Sequence, residues 1–294
     1  MVSVLGIVLV VGATLCFSLF DLLRKKLTGR LSDAFLVMVL ALGAVPLYGA
    51  WVALQPPAVV SRAYLLPGLL SVACNLGANY GFLRSVRLAG LSAVIPLLSL
   101  TPVFTALLGI PLLGELPGAR EWLGIAMVVG GALALQLGES SGERGRPWTL
   151  GAGAWWMILV AFLWASALPL DKLATEASNA AFHGLVMHLG VGLSVATIAI
   201  RGFRSALGRR GTAGAGAGAA VWLLLTAVVI GAAAQGLQLL SLQHAWVGFV
   251  ETVKRGIGSS LALVLGRLFF AEPLTVRKVL SVAVIAAGVA VMLW

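Results

Sequence analysis

The residues most capable of chemistry lie in Val250–Glu272, VETVKRGIGSSLALVLGRLFFAE, where Glu251, Lys254 and Arg255 interrupt an apolar run. A charge near the centre of a membrane helix costs about 2.5–3.5 kcal/mol on insertion scales, so such residues face a protein interior or a wet cavity and meet a partner. An ammonium beside a planar guanidinium offers an oxyanion a point charge and a two-pronged donor. Glu251 stands three residues before Lys254 and four before Arg255, the spacings at which helical side chains meet. One carboxylate cannot cancel two cations, which leaves positive charge for a ligand. The competing reading is an ion-pair network that serves structure alone. Gly256, Gly258, Ser259 and Ser260 follow and would let a ligand or a second helix come close.

Other polar side chains could complete a site. In SVACNLGANYGFL, Asn75 and Asn79 are four apart and share a helix face, with Tyr80 beside it, while Gly77 and Gly81 give a GxxxG spacing that favours close packing. In AAAQGLQLLSLQHAW, Gln235 and Gln238 are three apart and serve as uncharged donors. The expected substrate-binding set is Lys254, Arg255, Glu251, Asn75, Asn79, Tyr80, Gln235 and Gln238. Glu251 is the one well-buried carboxylate expected, and so the candidate for proton coupling. Asp21 with Arg24, Lys25 and Lys26, and Asp171 with Lys172, read as membrane-edge clusters, Lys172 being a minor candidate for substrate capture. His183 and His188 are five apart, off the metal-binding spacing, and no Cys or carboxylate joins them, so no metal or cofactor is expected. The chain shows no Ser–His–Asp arrangement, P-loop or aspartate pair of a lipid-phosphate enzyme, which speaks against an enzyme and against an ATP-driven pump.

These residues must be held by membrane helices. The 294 residues are 60% hydrophobic and 10% charged, against about 25% charged in soluble domains. The net charge of +10 does not point to nucleic acid, because most Lys and Arg fall in short gaps between apolar runs, as in cytoplasmic loops. Cys16 and Cys74 lie inside apolar runs and read as small buried hydrophobes. The apolar N-terminus lacks the basic leader of a cleavable signal. A span needs about 20 apolar residues, and the runs predict ten, at 3–24, 33–54, 64–86, 91–113, 119–138, 151–171, 180–200, 219–243, 247–270 and 275–294.

The polar stretch GESSGERGRPW (138–148) falls mid-chain, so residues 139–150 read as a linker between halves at 1–138 and 151–294. RGFRSALGRRGTAGAGAG (201–218) reads as a flexible surface loop. A shift of 157 residues lays Gly109 on Gly266, Glu115 on Glu272, Arg120 on Arg277 and Gly131 on Gly288. An odd number of spans per repeat makes the copies inverted, the plan of secondary transporters with a site between halves near the midplane. The basic loops predict both termini on the outer side.

The run SAVIPLLSLTPVFTALLGIPLLGELPGAREWLGIAMVVGGALAL resembles the EamA domain of the drug/metabolite transporter superfamily. That resemblance implies an all-α integral membrane protein of ten transmembrane helices in two inverted five-helix EamA repeats, in the inner (plasma) membrane, with both termini inside where the basic loops predict them outside. VKRGIGSSLALVLGRLFF is similar to the Lys-Arg motif of plastid triose-phosphate translocators, which implies that Lys254 and Arg255 grip a phosphate. The middle of the first span lacks the acid that small multidrug relatives use for lipophilic cations. The expected function is secondary-active transport of a small anionic metabolite, phosphorylated or carboxylate-bearing, as an exchanger or with proton coupling. The alternatives are a flippase or accessory protein for an anionic undecaprenyl-type lipid, and an exporter of amino acids.

Overall fold

The computed structural model describes residues 2–28, 33–56, 59–89, 94–137, 151–207, 217–270 and 275–294. The expected linker 139–150 and the repeat landmark Glu272 lie outside the described residues.

Among the described residues ten α-helices form where the apolar runs predict them: α1 Val4–Thr28, α2 Asp33–Ala53, α3 Leu65–Ala89, α4 Thr101–Leu113 and α5 Ala119–Leu137, then α6 Ala152–Glu176, α7 Ala180–Leu207, α8 Ala217–Ser241, α9 Val247–Phe270 and α10 Val276–Leu293. In lipid no water can satisfy a backbone N–H or C=O, so an apolar run of this length has one stable form, the helix. Five of the helices contain segments long and apolar enough to cross a membrane by composition alone: Val4–Arg24, Ala34–Ala53, Ala152–Glu176, Val221–Ser241 and Val276–Leu293. Large apolar side chains point outward, among them Leu66, Leu69, Trp222, Val229, Val276 and Leu280. A surface of that kind is soluble in hydrocarbon and not in water.

Several helix boundaries differ from expectation. The fourth span opens with a 3-10 turn at Ile95–Leu100, and α4 proper starts at Thr101. Pro96 and Pro102 lack the N–H that a continuous α-helix would need there. Helix α7 continues to Leu207, so residues 201–207 of the expected loop are helical, because no Gly or Pro interrupts Arg204–Leu207. Residues 208–216 of that loop lie outside the described residues. Helix α6 continues to Glu176, five residues beyond the predicted end at 171. That extension carries Asp171 into the protein.

Helices pair lengthwise: α3 on α6, α1 on α8, α2 on α7 and α5 on α10. Helix α9 packs on α1, α4, α5 and α10, so it is lined on several sides by other helices. Lipid tails are as apolar as leucine, so such pairs associate through close van der Waals fit, which small residues permit. The α5–α10 seam shows how close. A Cβ added to Gly124 would lie 2.7 Å from the carbonyl oxygen of Gly288, and one added to Gly288 would lie 2.9 Å from that of Gly124. At Gly131 it would lie 2.7 Å from Ile285 and 3.0 Å from the Ser281 oxygen, whereas at Gly130 it would meet nothing within 4 Å. The GxxxG of α3 works the same way, Gly77 receiving Leu163 and Gly81 receiving Val160 and Trp156 of α6.

The seam predicts a contrast between adjacent glycines. Gly131→Val should lower stability by about 1–3 kcal/mol, the usual cost of overpacking, while Gly130→Val should stay within experimental error. Thermal unfolding of both variants in one detergent checks this, and equal midpoints would contradict the packing.

Candidate functional site

Glu251, Lys254 and Arg255 occupy consecutive turns of α9, and the helix brings all three together as their spacing predicts. Glu251 is 3% exposed. Its Oε2 lies 2.6 Å from Lys254 Nζ and its Oε1 lies 3.2 Å from Arg255 Nε. The hydroxyl of Thr101, at the start of α4, donates to Oε1 at 2.7 Å and accepts from Arg255 Nε at 2.9 Å. One carboxylate therefore holds two cations, with a hydroxyl stitching the pair to a neighbouring helix.

The cations are not enclosed as their counter-ion is. The Lys254 and Arg255 side chains are 23% and 27% exposed. Lys254 also donates to Gln238 Oε1 on α8 at 2.9 Å, and its ammonium sits 5.8 Å from the centre of the Phe17 ring on α1. Arg255 spends its Nε–H on Thr101 and Glu251, and its two terminal NH2 groups make no hydrogen bond among the described residues. The cluster holds two positive charges against one negative, and its spare charge sits on a planar group with donors to offer.

The other expected residues are distributed unevenly. Gln238 joins the cluster directly, and Gln235 is half-buried one turn earlier on α8. Asn75 and Asn79 are half-buried on α3, and each side-chain amide donates one turn back, to Ser71 O at 3.0 Å and Asn75 O at 2.8 Å. Tyr80 is 59% exposed and stands edge-on to Trp156 of α6, so the fold does not bring it to the cluster. Residues adjacent in sequence diverge by about 100° on a helix, which puts Tyr80 off the asparagine face. Gly256 packs against Ile285, Val128 and Val289, while Gly258 faces Thr14 of α1 at 3.9 Å. The two glycines admit neighbouring helices on different sides of α9.

Three participants were not expected. Thr101 had no sequence signal beyond being a hydroxyl next to Pro102 in an apolar run. Asp171 is 2% exposed, so the expectation of a membrane-edge cluster there, and of Glu251 as the one well-buried carboxylate, is corrected. The apolar run LVAFLWASALPL ends at residue 170, and nothing in that pattern reveals that the helix continues. Glu115 was visible as a repeat landmark and not as a contact. Gly114, at φ 67°, closes α4 in the left-handed conformation that glycine adopts without strain, and so turns the chain to aim Glu115. Glu115 Oε1 takes Lys172 Nζ of α6 at 2.7 Å, and Oε2 accepts from the N–H of Val247, the first residue of α9, at 2.8 Å. A carboxylate at a helix N-terminus meets free N–H groups and a favourable dipole. Lys172 also donates to Ala245 O at 3.3 Å. A polar recess of about 420 Å³ opens beside this clasp, lined by Ser3, Glu115, Lys172, Gln243, His244 and Trp246 among others.

Residues 4–136 match the EamA-like transporter family. A curated protein from a Sinorhizobium species, described as an uncharacterized transporter in the cobO 3' region, is 33% identical over 82 residues, which is 28% of this chain and 57% of that protein. The chain thus matches little more than half the length of that relative. A solved crystal structure of a protein covers 97% of this chain and 95% of its own with a TM-score of 0.76 at 16% identity, a likeness of fold.

The cluster predicts an asymmetry among its members. Glu251→Gln leaves two cations without their buried counter-ion and should cost on the order of 3 kcal/mol. Lys254→Met and Arg255→Met remove part-exposed groups and should cost clearly less. Chemical denaturation of the purified variants would show it, and equal losses would argue against a shared carboxylate.

Proposed function

From the match of residues 4–136 of this multi-pass membrane protein to the EamA-like transporter family, we propose that it is a secondary transporter of a small anion, phosphorylated or carboxylate-bearing. The observation that carries this reading is the surplus of positive charge at Lys254 and Arg255 over Glu251, on side chains that keep partial access while the carboxylate beneath them is buried. An anion reaching the free end of the Arg255 guanidinium meets a fork of donors, with Lys254 as the second charge and Gln238 and Gln235 as neutral partners. Glu251 serves here as counter-ion. To act as the proton carrier it would have to leave Lys254, Arg255 and Thr101 together. Asn75 and Asn79 belong to the wall by their face on α3, with Tyr80 on its outer side.

The cycle we infer is alternating access between two halves, residues 1–138 and 151–294, each of five spans and related as inverted repeats. The helix pairs support this. Adding or subtracting five from each helix number turns the α3–α6 pair into α8–α1, and returns α2–α7 and α5–α10 to themselves. Gly131 and Gly288, which coincide under the 157-residue shift, face each other's helices across the α5–α10 seam. In this reading the Glu115–Lys172 clasp ties the first half to the second on the face that carries the start of α1, the end of α6 and the α8–α9 turn. The excess of basic residues at the opposite face supports a cytoplasmic position for it, with the carrier in the inner membrane.

Two outcomes follow. Inorganic phosphate, a sugar phosphate or a dicarboxylate should raise the melting temperature of the purified protein by several degrees, and the gain should vanish in Lys254→Ala and Arg255→Ala. Stabilisation that survives both substitutions would sink the anion site. Separately, a cysteine at Ser241, which is fully buried between the cluster and the clasp, should react with a maleimide at least tenfold faster once Glu115→Gln releases Lys172. Labelling is measured with Cys16 and Cys74 replaced by serine, and an unchanged rate would show that the clasp does not hold that face shut.

A further inference from the structure

A second ionisable cluster lies inside the protein near the end of α6, apart from Lys254 and Arg255. Asp171 of α6 and His183 of α7 are 2% and 0% exposed. Asp171 Oδ1 is 3.0 Å from His183 Nε2 and also accepts the hydroxyl of Ser71 on α3. The other imidazole nitrogen, Nδ1, is 3.2 Å from the hydroxyl of Tyr64, in the short 3-10 turn Arg62–Tyr64 that precedes α3. The result is an unbroken chain, Tyr64–His183–Asp171–Ser71, in which every polar atom of the imidazole is used. It is also a chain across halves, since Tyr64 and Ser71 come from the first and Asp171 and His183 from the second.

The charge count of this chain is open in a way that the first cluster's is not. With a neutral imidazole, Nε2–H donates to the carboxylate, Nδ1 accepts from Tyr64, and the group carries one negative charge. No cation answers it among the described residues. Lys172, next in sequence, is held by Glu115 at 2.7 Å. Of the helices packed on α6, α3 brings the thiol of Cys74 within electrostatic reach, and α9 brings Glu251, Lys254 and Arg255, which bind one another. Helix α7 carries His188, which lies tilted against Tyr48 of α2 with ring centres 4.7 Å apart, and the 3-10 turn brings Tyr64 itself, with Arg62 exposed. Adding one proton to the pair makes it neutral and moves no heavy atom: an imidazolium donates at both nitrogens, to Asp171 and to the Tyr64 oxygen.

We propose that Asp171 and His183 together are the proton-binding site of the transport cycle, a site distinct from the anion cluster. The inference rests on the alternating-access reading above, because the pair's partners, Ser71 and Tyr64, stand on the other half. Movement of one half against the other withdraws those partners and gives water a path to the pair. A proton bound at that moment neutralises the carboxylate–imidazole pair, which can then be buried again without a net charge. Lys172 follows Asp171 directly on α6, so the movement that releases the clasp also displaces the proton site. The two side chains share one hydrogen bond, so they bind and release that proton as a unit.

The test needs no knowledge of the transported anion. Full-length protein in liposomes adsorbed on a sensor electrode is given a pH step in the absence of substrate. Wild type should show a transient charge displacement, and Asp171→Asn and His183→Gln should each reduce it at least tenfold. Stabilisation by inorganic phosphate is measured on the wild type beside the transient, so a transient without stabilisation marks failure of the anion site alone, and stabilisation without a transient marks failure of the proton site alone. Variants that fold and retain the full transient would overturn the proposal. Should neither variant fold, wild-type protein labelled with 13C at its aspartate carboxylates (Asp21, Asp33 and Asp171) and 15N at its histidine rings (His183, His188 and His244) decides by solid-state NMR. One aspartate and one histidine titrating together over the same pH interval support the pair, and independent titration of all six groups rejects it.

Discussion

A carboxylate buried among apolar helices must be answered by positive charge, and Glu251 is answered twice. Its two oxygens divide between an ammonium and a guanidinium, and the Thr101 hydroxyl serves both the carboxylate and the guanidinium. This one residue therefore sets the rotamers of both cations and fixes α9 against α4. Removing it would leave two like charges on adjacent residues without their shared counter-ion. The cations in turn give Glu251 the positive partners that a buried carboxylate needs. The surplus charge is thus neither accidental nor free to relax.

Everything else in the fold can be understood as bringing helices close enough to hold such a cluster without water. Hydrophobic burial does not draw helices together in lipid, so close approach has to come from shape. Gly124, Gly131 and Gly288 let α5 and α10 touch backbone to side chain, and Gly256 lets α9 settle against that pair. Gly77 and Gly81 do the same for α3 on α6. The two seams flank α9 and α6, the helices that carry the charged residues. Rigid flanks with a polar centre suit a protein whose moving parts are whole helix groups.

How much of this was legible in the sequence follows from the same physics. Helix positions were readable because the bilayer fixes both the length and the conformation of an apolar run, and the predicted spans match the observed helices to within a few residues in most places. The α9 triad was readable because i, i+3 and i+4 spacing is a property of one helix. Asp171, Glu115 and Thr101 were not, because their meaning depends on which helix lies opposite. Asp171 follows an apolar run and precedes a lysine, the pattern of a helix end, and only the five further residues of α6 make it internal. Tyr80 shows the converse, a residue chosen for its neighbours that a turn of about 100° places on the outside. Glu115 was marked by the repeat, yet its partners, Lys172 and Val247, are respectively 57 and 132 residues away.

The placement of Asp171 and Lys172 carries the last step. Consecutive residues on a helix point about 100° apart, so one helix end can serve two neighbours at once. Asp171 turns inward to α3 and α7, and Lys172 turns to the α4–α5 connection and the start of α9. Both contacts join opposite halves of the chain. A rigid rotation of α6 cannot release one without straining the other, because no flexible residue lies between them. Under the proposal above, the end of α6 works as one element with two polar contacts, and a proton on the inner one bears on the outer one. Pro169 sits two residues before this point and removes one backbone donor from the helix. The hydrogen-bond ladder is thus weakened just ahead of the two contacts, at the place where a hinge in α6 would serve both.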